Sequence, residues 1–230
     1  MGKSLKTVSD SREIDTFLNQ ARELATTSAG AARLMFAMDA TASRSPTWDH
    51  ACQLHNEMFL ATGDSGKLQI QLCYYRGYRE FHYSRWVNQP EALLQEMNAV
   101  TCLGGHTQIG RVLEHALREH QNHSLNVVVL VGDCCEEPLD PLCELAGQLG
   151  LLGIPLFCFH EGDDAHGRLL FEQLARLSGG AFARFDLHSA DRLKQLLSAA
   201  AVYATGGIKA LEEFAGKNRD ILALTHQLNR

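Results

Sequence analysis

The run Val127-Val128-Val129-Leu130-Val131 is apolar at every position. A strand with one wet face alternates apolar and polar side chains, because successive side chains point to opposite faces. A strand with no alternation is covered on both faces, as in a parallel sheet sandwiched between helices. Three other β-rich runs accompany it: Leu34 to Met38, Leu68 to Tyr75, and Pro155 to His160. Helical stripes separate them. Trp48, Cys52, His55 and Phe59 follow Pro46, a residue suited to a first helical turn. Ile109, Val112, Leu113, Ala116 and Leu117 form a second stripe, Leu142, Leu145, Ala146 and Leu149 a third, and Leu169, Leu170, Leu174 and Leu177 a fourth.

Strand and helix therefore alternate, which predicts an α/β domain: a doubly wound, mostly parallel six-stranded sheet with helices on both faces. One connection departs from the pattern. Only Arg76-Gly77-Tyr78 separates Leu68–Tyr75 from the alternating segment Arg79 to Trp86, too little for a parallel crossover. The two must form a hairpin, with the second strand an antiparallel edge. Ala181 to Phe185 supplies a short last strand. The expected division is a helical segment at 1–30, built on Ile14, Phe17, Leu18, Ala21 and Leu24, a domain at 31–200, and a helical segment at 201–230 beyond the break Ala204-Thr205-Gly206-Gly207. Whether the last segment packs on the domain or on a partner is open at this stage.

Composition excludes some functions. The formal net charge is −6, and the pI is near 6.0, which argues against nucleic acid as the main partner. The start of the chain lacks the apolar stretch of a signal peptide, and no apolar run is long enough to span a membrane. Seven cysteines without a CxxC pair fit free thiols in a reducing cytoplasm. Cys134-Cys135 is the one pair open to redox or soft-metal chemistry.

The candidate site begins where the first strand ends. Asp39, Thr41 and Ser43 stand at i, i+2 and i+4 in "MFAMDATASRS". A loop leaving the strand in extended conformation would point these three side chains the same way. In open α/β sheets ligands bind outside the carboxyl ends of the strands. Val131-Gly132-Asp133 leaves the most apolar strand at the same edge, and Leu103-Gly104-Gly105-His106-Thr107 brings a hydroxyl to the start of a helix. Two carboxylates and three hydroxyls form an all-oxygen set, suited to Mg²⁺ and next to Mn²⁺ or Ca²⁺. Taken alone, Asp39-Thr41-Ser43 also fits a capped turn. The glycine turn lacks a Gly-Lys-Ser/Thr ending and is no nucleotide-binding loop. Glu136 and Glu137 are expected in a solvated loop, and His106 at the surface.

These three parts, in this order and on these elements, resemble the von Willebrand factor A (VWA, integrin I-like) domain, whose metal-ion-dependent adhesion site (MIDAS) reads DxSxS…T…D. The resemblance covers roughly residues 31 to 200. It implies that Thr41 and Ser43 ligate a cation, that Thr107 is a switchable third hydroxyl, and that Asp39 and Asp133 bind directly or hold its waters. It further implies a protein-binding adaptor of an intracellular, prokaryotic type rather than an enzyme, with a partner Asp or Glu carboxylate completing the metal. Intracellular relatives of that kind work beside ATPases or chaperone-like assemblies. The chain departs from the pattern at two places. Thr41 stands where Ser is usual, and Gly132-Asp133-Cys134 replaces the common T-D-G or S-D-G, which loses a hydroxyl and places a side chain where glycine is usual. The competing readings are a scaffold with a vestigial site and a Mg²⁺-dependent hydrolase of the haloacid dehalogenase type. The latter needs a second Asp at position 41, which is Thr.

Overall fold

The computed structural model describes residues 30–63, 67–186, 190–216 and 218–228. The amphipathic stripe expected at Ile14 to Leu24 lies outside the described residues. The strands are β1 (Ala32–Asp39), β2 (Leu68–Arg76), β3 (Glu80–Tyr83), β4 (Val127–Gly132), β5 (Leu156–Glu161) and β6 (Ala181–Phe185). They form one sheet in the order β3-β2-β1-β4-β5-β6. Every pairing is parallel except β2 with β3. The edge strand is shorter than the alternation over Arg79–Trp86 suggests. Ladder pairing stops at Tyr83, and Val87 returns as an isolated bridge to Ile70.

The helices are α1 (Ser45–Ala61), α2 (Pro90–Asn98), α3 (Ile109–Asn122), α4 (Leu139–Leu151), α5 (Ala165–Leu177), α6 (Ala190–Ala215) and α7 (Arg219–Leu228). The strands distribute their side chains between two cores, as strand geometry requires. Leu34, Phe36 and Met38 of β1 join Val127, Val129 and Val131 of β4 beneath α1, α2, α6 and α7. Met35 and Ala37 join Val128 and Leu130 on the other face, beneath α3, α4 and α5. All five residues of the aliphatic run in β4 are at most 1% exposed. Each such burial is worth roughly 1.5–3 kcal/mol of transfer free energy. That double coverage is why the run shows no alternation.

The C-terminal residues pack on the sheet. Leu211, Ala215, Ile221 and Leu224 are buried in the same core as β1 and α1. α6 breaks inside the glycine pair: Gly207 has φ 67° and ψ −161°, a conformation that L side chains rarely adopt. The cysteines are free thiols, three of them buried. No helix among the described residues is long and apolar enough to cross a membrane.

The winding fixes where a site can form. From β1 the chain moves to β2 and β3 on one side, then crosses to β4, β5 and β6 on the other. The crevice between the carboxyl ends of β1 and β4 is therefore the topological switch point, the usual ligand position in open α/β sheets.

Candidate metal centre

β1 and β4 are adjacent and in register, Met38 opposite Val131. Asp39 ends the one strand and Asp133 follows the other, so both carboxylates emerge into the crevice. Asp39 is 1% exposed. Its Oδ1 accepts the Thr41 backbone N–H at 2.7 Å, the turn a short acidic side chain makes with its own backbone. The loop then departs from the extended path expected for it. Thr41 is extended, but Ala42–Arg44 form a 3₁₀ turn closed by the Arg44 N–H on the Thr41 carbonyl at 2.9 Å. The turn still gathers the oxygens. The Thr41 and Ser43 hydroxyls lie 3.4 Å apart, and Ser43 Oγ donates to Asp133 Oδ2 at 3.4 Å.

Two oxygens are left over. Asp39 Oδ2 and Asp133 Oδ1 are buried and have no hydrogen-bond partner among the described residues. A buried carboxylate oxygen without a donor carries its full desolvation cost. The Asp39 carboxyl shows it: burial raises its pKa from 3.8 to about 6, with hydrogen bonds from Thr41 opposing and the charge of Asp133 adding to the rise.

Thr107 reaches the same place from another direction. An open cavity of about 230 Å³ is lined by Thr41, Ser43, Gly105, Thr107, Cys134 and Glu136 among others. Thr107 is 5% exposed, and its hydroxyl accepts the Glu136 N–H at 3.0 Å. The Glu136 carboxylate in turn accepts the Thr107 N–H at 3.2 Å and meets His106 Nδ1 at 2.8 Å. Gly105 sets the position of this loop. A Cβ there would fall 1.9 Å from the Gly77 carbonyl oxygen, and the neighbouring His106 N–H donates to that same oxygen. The structure thus joins Asp39, Thr41, Ser43 and Asp133 by hydrogen bonds and brings in Thr107 as a wall of the shared cavity.

Glu136 and Glu137 do lie in a loop just before a helix, with Glu136 exposed as expected, but both are engaged rather than merely solvated. Glu136 holds the Thr107 loop. Glu137 caps α3 from a separate loop, accepting the Ile109 N–H at 2.5 Å and the Gly110 N–H at 3.0 Å. Free amides at a helix N-terminus favour a carboxylate there, and this one is distant in sequence.

Sequence reasoning also passed over four residues that brace the site. Arg44 is 3% exposed, pairs closely with Glu161 and has Nη1 3.6 Å from Asp133 Oδ2. Thr47 Oγ1 donates to Glu161 at 2.5 Å. The cue was a Glu closing β5 after Leu156 to Phe159 and His160, in a strand buried throughout, where an unpaired charge is not tolerated. His160, fully buried beside it, contacts the Asp133 carbonyl through Nε2 at 2.9 Å. A carbonyl only accepts, so Nε2 carries the proton. Burial lowers the pKa of this ring and keeps it neutral.

The donor set fits a cation. Ligand atoms of Asp39, Asp133 and Cys134 all lie within 4.8 Å of one another. The two orphaned carboxylate oxygens need a positive partner, and the hydroxyls beside them supply further oxygens. Cys134 is protonated in the absence of one: burial, then the neighbouring Asp133 carboxylate, push its thiol up to about 12.

No family model matches the chain, and a comparison with curated proteins finds no match. Solved structures do match it in fold. A von Willebrand factor type A protein from Catenulispora acidiphila is 15% identical with a TM-score of 0.62, over 75% of this chain and 43% of that one. Proximal thread matrix protein 1 from the mussel byssus, in a structure with a zinc-occupied MIDAS motif, is 18% identical with a TM-score of 0.59, over 83% of this chain and 52% of that one. The SpRpn10 VWA domain is 13% identical with a TM-score of 0.54, over 75% of this chain and 94% of that one. The chain thus spans about half the length of the first two and nearly all of the third. At such identities the likeness concerns architecture: the chain has the fold of von Willebrand factor A domains.

Proposed function

We propose that the chain is a protein-binding module, not an enzyme, and that it engages its partner through a divalent cation held by Asp39, Thr41, Ser43, Thr107 and Asp133. The observation that carries this reading is the pair of buried, unpartnered carboxylate oxygens on Asp39 and Asp133 beside a cavity walled by three hydroxyl residues. On the oxygen donors alone the cation is Mg²⁺, with Mn²⁺ or Ca²⁺ as alternatives. When bound, it offers an electrophilic position to an Asp or Glu carboxylate of the partner. The chain's own residues do the rest. Asp39 is anchored by the Thr41 amide, Ser43 and Arg44 orient Asp133, and the Glu136 loop holds Thr107 at the rim. The likeness to a protein solved with a zinc-occupied MIDAS motif supports the cation. A cavity open at its rim suits a side chain arriving on another protein.

The test is partner capture by the wild-type chain, Asp39→Ala and Thr107→Ala, each with and without a chelator. Capture lost with chelator and in both variants supports the reading. Capture that neither variant nor chelator alters contradicts it and leaves a scaffold whose site is vestigial.

A further inference from the structure

The oxygen donors do not exhaust the site. Cys134 stands beside Asp133, and its Sγ lies within 4.8 Å of a carboxylate oxygen of each aspartate. It lines the same cavity as Thr41, Ser43 and Thr107. Asp39, 1% exposed and with Oδ2 unpartnered among the described residues, belongs to that trio. We propose that Cys134 is a direct ligand, and that the site therefore selects a thiophilic transition-metal ion, Zn²⁺ before all, over Mg²⁺. This rests on the cation reading above and narrows it to a class of metal.

The geometry requires little movement. With Zn–S near 2.3 Å and Zn–O about 2.0–2.2 Å, one ion spans donors up to roughly 4.5 Å apart, and a tetrahedral arrangement asks for about 1 Å of closure from the outer limit observed. Asp39, Asp133 and Cys134 supply three protein ligands. The fourth position is left for a hydroxyl, a water or a partner carboxylate, as at sites that keep one position open. Mg²⁺ requires an octahedral oxygen shell and gains nothing from sulfur, whereas Zn²⁺ takes mixed sulfur and oxygen sets. Binding exchanges the S–H bond for an S–Zn bond. The sulfur lone pair forms the new bond, the proton leaves to solvent, and nothing is oxidised or reduced.

The experiment uses the full chain, reduced and metal-free, with Co²⁺ as the optical probe and Zn²⁺ and Mg²⁺ in calorimetric titrations. Wild type and Cys143→Ser, altered outside the cavity, are expected to show the near-ultraviolet sulfur-to-cobalt charge-transfer band, and Cys134→Ser is expected to lose it. Zn²⁺ affinity should fall in Cys134→Ser by at least about 10- to 100-fold, the range lost when even outer partners of a metal site are removed. Mg²⁺ affinity should not fall. A bound Co²⁺ without the band, and equal Zn²⁺ affinity in wild type and Cys134→Ser, would overturn the sulfur ligand while leaving the carboxylate site standing. No binding of any of the three ions would overturn both. If Cys134→Ser does not fold, the band in the wild-type chain decides alone.

Discussion

Asp39→Asn should stabilise the metal-free protein at neutral pH. The wild-type carboxyl is held almost entirely out of water, has one oxygen unpartnered, and ionises near 6 instead of 3.8. The folded state therefore binds this proton more tightly than the unfolded state does. Between about pH 4 and 6 it carries the larger number of protons, so stability falls as pH rises through that window. At about 1.4 kcal/mol for each pH unit, the full displacement amounts to roughly 3 kcal/mol lost above pH 6. Asparagine keeps the oxygen that accepts the Thr41 N–H and removes the charge, so a gain of about 2–3 kcal/mol is expected at pH 7.5 in chelator. The gain should vanish below pH 4, where the aspartate is neutral in both states. Urea unfolding followed by circular dichroism at a series of pH values measures it. Saturating cation should reverse the ranking. The wild type gains about 4.1 kcal/mol at a thousandfold excess over Kd, more than its deficit, and the variant gains less. A variant no more stable than wild type in chelator at pH 7.5, or a difference independent of pH, would refute the reasoning.

Other perturbations address the braces. Arg44→Met leaves Glu161 buried without its cation and should cost about 3–5 kcal/mol in chemical unfolding, whereas Arg44→Met combined with Glu161→Gln should recover much of that loss. Glu137→Ala removes two amide partners at the start of α3 and should lower stability by about 1–2 kcal/mol, with hydrogen exchange rising first at Ile109 and Gly110. Gly105→Ala forces a methyl against the Gly77 carbonyl, so the loop must move. The expected cost is about 1–3 kcal/mol, together with weaker cation binding in calorimetry because Thr107 moves with it.

The fold was legible because its determinants are periodic. Val127 to Val131 announces a strand covered twice, and the three-residue link after Tyr75 permits only a hairpin. The carboxyl-edge positions of Asp39 and Asp133 followed from the strand ends. The braces were not legible, because each pairs residues far apart in the chain. Arg44 with Glu161, Glu137 with the amides of α3, and Glu136 with Thr107 bring separate loops together, and no local spacing marks such a pair. The 3₁₀ turn at Ala42–Arg44 was missed for a different reason. Alternating hydroxyls read as extended backbone, while Asp39 accepting from the Thr41 amide starts a turn instead.

The most direct test of the cation site is a crystal of the full chain grown with Mn²⁺ and measured for anomalous scattering. A peak in the crevice among Asp39, Ser43 and Asp133, absent from Asp39→Ala crystals grown in the same way, is the result expected. An empty crevice in well-ordered wild-type crystals at saturating Mn²⁺ and again at saturating Zn²⁺, with Asp39 and Asp133 holding only water or each other's proton, would contradict the cation on which the proposed function depends.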